Sequence, residues 1–201
     1  MPRSPMPEAR RGWGELARVW LLAWAVGGAL AGAAALSVVE LGLFDTTASE
    51  PHWPLVSWGA HRTFINSVKL RAGKIDRPVF TAAEIHAGFG EYEHDCVMCH
   101  GGPGVARAEF VRGMTPTPPF VIDSARRWTP AQLYWILGQG VKMSAMPGWR
   151  ATRTNVQIWD LVAFLEALPS LTPRDYAGMR ASAAANKDGL AATRTTSARA
   201  T

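Results

Sequence analysis

The chain's two cysteines fall together, in Cys96-Val97-Met98-Cys99-His100. Two thiols at this spacing, on the end of a helix, reach the two vinyl groups of one porphyrin, and the imidazole that follows then projects to the iron. Cys-x-x-Cys-His is the attachment signature of a c-type haem. A dithiol redox pair also uses Cys-x-x-Cys, but it opens a helix beside a strand, whereas here a helical pattern leads into the motif. A tetrahedral zinc site needs further ligands at suitable spacing, and the sequence has no second Cys/His pair. The motif predicts one covalently bound haem, with Cys96 and Cys99 as the thioether positions and His100 as an axial ligand.

The opposite axial position decides between two chemistries. An open site binds small ligands or reacts with peroxide, whereas a thioether closes the coordination shell and gives an electron carrier of raised potential. Five methionines lie beyond the anchor region, Met98, Met114, Met143, Met146 and Met179. Met98 is held beside the thioether bonds on the His100 side, and Met179 falls in a polar tail. The stretch Gly140-Val-Lys-Met143-Ser-Ala-Met146-Pro147-Gly148-Trp149 follows a helix end, and Pro147 restricts Met146 to an extended backbone. Met146 is the expected ligand and Met143 the second choice, against the plainer reading of both as gap-filling apolar residues. A distal acid or base for peroxide chemistry would come from His52, His61 or His86, none of them near this loop in sequence; His94 lies in the helix before the motif.

Three helices must position these groups. The first spans about Thr81 to Asp95, with Thr81 and Glu84 as a capping box and Ile85, Phe89 and Tyr92 as its apolar face. The second starts at Trp128-Thr129-Pro130, carries Leu133, Tyr134, Ile136 and Leu137, and stops at Gly138 or Gly140. The third covers roughly Thr154 to Leu168, buries Ile158, Leu161, Val162, Leu165 and Leu168, and ends before Pro169. No stretch alternates for long, so an all-α domain is expected.

On these residues, positions 81–168 resemble the class I c-type cytochromes, in a membrane-anchored bacterial monohaem form. The resemblance implies a small haem domain of three or more helices, in which Gly88 and Tyr92 of the first helix cross Leu161 and Phe164 of the last. It matches Met146-Pro147 to the family's distal loop. It also implies that a proline carbonyl after the haem site, from Pro118 or Pro119, accepts the Nδ1–H of His100, with Pro119 taken here. Pro118-Pro119-Phe120 lacks the polar residue usual beside that proline.

The chain has 201 residues, of which 48% are hydrophobic and only 18% charged, so part of it avoids water. From Val19 to Val39 there is no charged residue, a stretch of about 31 Å as a helix, enough for a bilayer core of roughly 30 Å. Arg3, Arg10, Arg11 and Arg18 precede it, which keeps the N-terminus cytoplasmic and exports the chain beyond Glu40. The run is longer than a cleaved signal core and continues past its alanines, so it reads as an uncleaved anchor. The net charge of +5 is concentrated after residue 173, where five basic side chains face two acidic ones, so no basic surface on the folded part suggests nucleic acid.

The expected organisation is a cytoplasmic N-terminus (1–18), an anchor (19–39), a connector (40–78), a haem domain (79–170) and a disordered tail (171–201). Within the connector, 45–59 reads as irregular, and 60–72 as a short amphipathic helix lying on lipid or against the domain. The function these features imply is one-electron transfer between redox protein partners on the periplasmic side of a bacterial cytoplasmic membrane, with no enzymatic turnover and no small-molecule substrate. Lys142, Arg150 and Arg153 flank the distal loop as a candidate basic rim for acidic partners. Two alternatives stand beside it: a haem sensor or peroxidase-like enzyme with an open distal site, and a fixed cytochrome subunit of a larger oxidoreductase.

Overall fold

A computed structural model describes residues 9–185. These residues form eight α-helices, and among them no β-strand occurs. The chain divides into two compact units at Thr47/Ala48. The first is α1 (Ala9–Glu40), in which Gly12–Glu40, whose most apolar 18 residues have a mean hydropathy of 1.9, is long and apolar enough to cross a membrane. Its end is a Schellman turn: Gly42 takes φ 62° and the Leu43 amide donates to the Val38 carbonyl at 3.1 Å.

The second unit begins with α2 (Pro54–Ala72), six residues longer than the helix expected over 60–72. Pro54 sits at the first helical position, where its missing N–H costs nothing, so the Pro/Trp-rich segment read as irregular becomes a helix start. The C-terminal half of α2 docks on the domain: Val68 and Ala72 are buried, and Phe64 meets Trp128 edge to face at 5.6 Å.

The haem-domain helices follow as α3 (Ala82–Asp95), α4 (Val97–His100), α5 (Val121–Arg127), α6 (Pro130–Gln139) and α7 (Asn155–Ala167). Short 3₁₀ turns lie at Glu109–Gly113, Trp149–Ala151 and Leu168–Ser170. The three expected helices are α3, α6 and α7. Each starts with a threonine whose side chain accepts the third helical N–H while Glu84, Gln132 or Gln157 reaches back to the cap. The short α5 has too few residues for a periodic signal.

The tail expected to be disordered from 171 is instead helical over residues 173–185 (α8). Thr172-Pro173-Arg174-Asp175 repeats the start signal: Thr172 Oγ1 accepts from the Asp175 amide at 3.2 Å and Asp175 Oδ2 accepts from the Thr172 amide at 2.9 Å. Tyr176, fully buried, anchors α8 by packing on Phe89 at 5.4 Å and donating to Glu93 Oε1 at 2.5 Å. Burial together with the Glu93 carboxylate raises the Tyr176 pKa, so the phenol stays a donor. Residues 186–201 of the expected tail lie outside the described residues.

α3 and α7 form the central pair. They cross where Gly88 lies on the α7 backbone: a Cβ at Gly88 would fall 1.9 Å from the Asp160 carbonyl oxygen and 2.9 Å from Phe164 Cβ. Phe89 and Tyr92 close the contact against Phe164, at 5.5 and 5.1 Å between ring centres. A methyl group at Gly88 forces the helices apart, so Gly88→Ala is expected to destabilise the fold by about 1–3 kcal/mol. Gly90 faces open space, and Gly90→Ala should stabilise by up to about 1 kcal/mol from helix propensity. Thermal unfolding of the two variants in mild detergent checks the difference in sign.

Candidate functional site: the Cys96–His100 turn and the loop of Met146

α3 ends at Asp95, and the chain turns once more through α4. The Cys96 amide still bonds back to the Tyr92 carbonyl at 2.9 Å, while the Cys99 and His100 amides both donate to the Cys96 carbonyl, at 3.1 and 2.9 Å. Gly101, at φ 67°, ends the turn, and the Tyr92 hydroxyl donates to its carbonyl at 2.5 Å. α8 backs the same segment, because a Cβ at Gly102 would lie 2.8 Å from the Tyr176 ring. One turn, braced from two sides, presents both cysteines and His100.

The two thiols are not joined to each other. Cys96 is buried, and that burial, reinforced by the Asp95 and Glu91 carboxylates, pushes its thiol up to about 12. A dithiol redox site needs the opposite, a lowered thiol pKa. Among the described residues no three His, Cys, Asp or Glu side chains gather as a metal-binding group.

His100 Nδ1 lies 2.8 Å from the Pro119 carbonyl oxygen. A carbonyl only accepts, so Nδ1 carries the proton and Nε2 keeps its lone pair, the tautomer a metal requires. Burial lowers the His100 pKa, and the nearby Arg107 guanidinium lowers it further while the Pro119 bond acts the other way, so the neutral imidazole is favoured. Of the two prolines, Pro119 bonds to His100 and Pro118 serves a different group: its carbonyl accepts from Arg107 Nη1 at 2.5 Å. The same guanidinium lies 4.0 Å over the Phe120 ring. Arg107 thus pins both neighbours of Pro119. Its sequence position gave no signal, since Arg112 lies equally between the motif and the prolines.

The loop after α6 is held just as tightly. Gly140 has φ 70°, and a Cβ there would lie 2.5 Å from the Gly148 nitrogen and 2.7 Å from the Met146 carbonyl oxygen. The Val141 amide donates to that carbonyl at 3.1 Å, and Ser144 Oγ accepts from the Met146 amide at 3.2 Å. Met146 is half-buried and packs against the core cluster that includes Cys96, whereas Met143 is 84% exposed. The structure separates the two candidate methionines by burial.

Of the expected basic rim, Arg153 is not free. Its Nε donates to Glu91 Oε2 at 2.7 Å, its Nη2 to Asp95, and Gln157 Nε2 donates to the other Glu91 oxygen at 2.8 Å. This pairing ties the end of α3 to the residues after the Met146 loop. Arg150 lies over the Tyr134 ring at 5.3 Å, and Lys142 is exposed. Of the four remaining histidines, His61, His86 and His94 are exposed and His52 is half-buried; His94 Nδ1 bonds to Asp95 Oδ1 at 2.7 Å.

The residues fit a haem. Two unpaired thiols share a turn with an imidazole of the right tautomer, and a constrained loop offers a half-buried thioether. Trp149 Nε1, beside that loop, is the one buried side-chain polar atom without a partner among the described residues, a donor suited to an acceptor outside the polypeptide. Met98 and Phe120 leave apolar surface uncovered at the motif.

Helix order, the Gly88 crossing and the braced Cys-x-x-Cys-His turn define a class I c-type cytochrome domain, which binds haem and transfers electrons. Residues 83–165 match the family described as cytochrome c oxidase, cbb3-type, subunit III, in agreement with a c-type cytochrome domain over this part of the chain. No curated protein matches the chain.

The geometry at Gly140 gives a direct test. A side chain there meets both a positive φ and the Met146–Gly148 backbone, so Gly140→Ala is expected to cost more than about 1 kcal/mol in thermal unfolding. Gly113→Ala, in open space at a negative φ, should leave stability nearly unchanged.

Proposed function

We propose that this protein is a membrane-anchored monohaem c-type cytochrome that passes single electrons between redox partners on the periplasmic face of a bacterial cytoplasmic membrane. The bond from His100 Nδ1 to Pro119 carries the reading, because it fixes an imidazole with its free lone pair beside two unpaired thiols. In this reading Cys96 and Cys99 would hold one haem through thioethers, and His100 and Met146 would ligate its iron. The haem supplies a reversible ferric/ferrous couple.

The polypeptide does the rest. The Pro119 bond keeps the His100 ring oriented in both redox states, and Arg107 fixes the segment that carries that carbonyl. The closed Gly140–Gly148 loop holds the Met146 backbone in place, so its thioether would reach a haem iron at low ordering cost. A soft thioether in that place would favour the reduced metal and raise its potential relative to an open site. The four arginines before the apolar run support a cytoplasmic N-terminus, and anchoring raises the effective concentration of partners in the same membrane.

A second reading has its own support. The family matched over residues 83–165 is described as an oxidase subunit, which favours a cytochrome fixed within a larger complex. Extraction in mild detergent separates the two: a carrier comes away alone, and a subunit comes away with partners.

The axial assignment is tested by Met146→Ala. The reduced variant is expected to bind carbon monoxide readily and to lose the weak sulfur-to-iron absorption of the ferric state. Met143→Ala should leave both spectra as in the parent. An unchanged Met146→Ala spectrum removes Met146 as the ligand.

A further inference from the structure

α2 is only half used by the fold. Phe64, Val68 and Ala72 attach its C-terminal half to the domain, but Leu55 is 75% exposed and Trp58 64% exposed in the first two turns. Leu55, Trp58 and Arg62 follow each other at spacings of three and four, so they share one face, with Lys69 two turns further along it. Arg62 and Lys69 are exposed and form no ion pair among the described residues. Trp53 adds a further exposed indole at the helix start. Large apolar and aromatic groups next to unpaired basic ones on one helix face match the boundary of an anionic bilayer, where indoles are favoured and basic groups are drawn to the headgroups. The connection to the apolar span is short: residues 41–53 reach at most about 45 Å when fully extended.

We infer that the N-terminal half of α2 is a foot that lies in the anionic phospholipid surface, with Leu55 and Trp58 inserted and Arg62 and Lys69 on the headgroups. This rests on α1 crossing that membrane. It makes the attachment two-point: the span tethers the domain, and the foot restricts which of its faces points at the lipid. A domain held in this way presents its haem edge to partners in a limited set of orientations.

The test uses the full chain in nanodiscs of phosphatidylglycerol with a photoreactive acyl-chain lipid, followed by peptide mapping of lipid adducts. Adducts are expected on residues 54–60 as well as on α1. Arg62→Glu combined with Lys69→Glu should lower the 54–60 yield several-fold, with α1 labelling and the helical circular dichroism unchanged. Adducts on α1 with none on 54–60 overturn the inference and leave that face to a protein partner. Absence of adducts on α1 as well removes the anchor reading, and the foot with it.

Discussion

The contact on which the domain depends is the crossing of α3 over α7 at Gly88. With no side chain there, the two backbones approach until a Cβ would fall inside the Asp160 carbonyl. That approach sets the direction in which α3 delivers its last turn, and its last turn is where Cys96 emerges. Tyr92 links the two consequences: one face of its ring packs on Phe164 of α7, and its hydroxyl holds the Gly101 carbonyl at the end of the Cys96–His100 turn. The helix pair therefore acts as a jig for the Cys96–His100 turn. Arg153 extends it to the other side by joining Glu91 and Asp95 of α3 to the residues after the Met146 loop.

Much of this was legible in the sequence, for physical reasons that differ by element. α3, α6 and α7 each combine a threonine cap with an apolar face, so start, type and buried side all follow from local rules. The Pro119 carbonyl was legible only through family resemblance, since no property of a proline marks its carbonyl as the acceptor for a histidine 19 residues away. α5 and Arg107 were not legible: one is seven residues long, and the other acts through a backbone carbonyl.

Two segments depart from expectation for a shared reason. The stretch after residue 171 is mostly Ala, Arg, Thr and Ser, a composition that masks the start signal Thr172-Pro173-Arg174-Asp175, although one Tyr176 is enough to bury α8 against α3. Pro54, within a Pro/Trp-rich run, has the look of a breaker, yet at a first helical position it is a start. In both places proline placed just inside the helix carries the information. The consequence reaches the site, since α8 supports the backbone around Gly102 directly behind the Cys96–His100 turn.

The central claim is covalent attachment of one haem through both sulfurs of the motif. It is tested most directly by the mass of the proteolytic peptide containing Cys96–His100, isolated under acidic organic solvent from protein matured with its attachment machinery. The expected result is a peptide heavier by one haem group, with neither thiol open to alkylation. A peptide of unmodified mass, with two alkylatable cysteines or a disulfide between them, would contradict it.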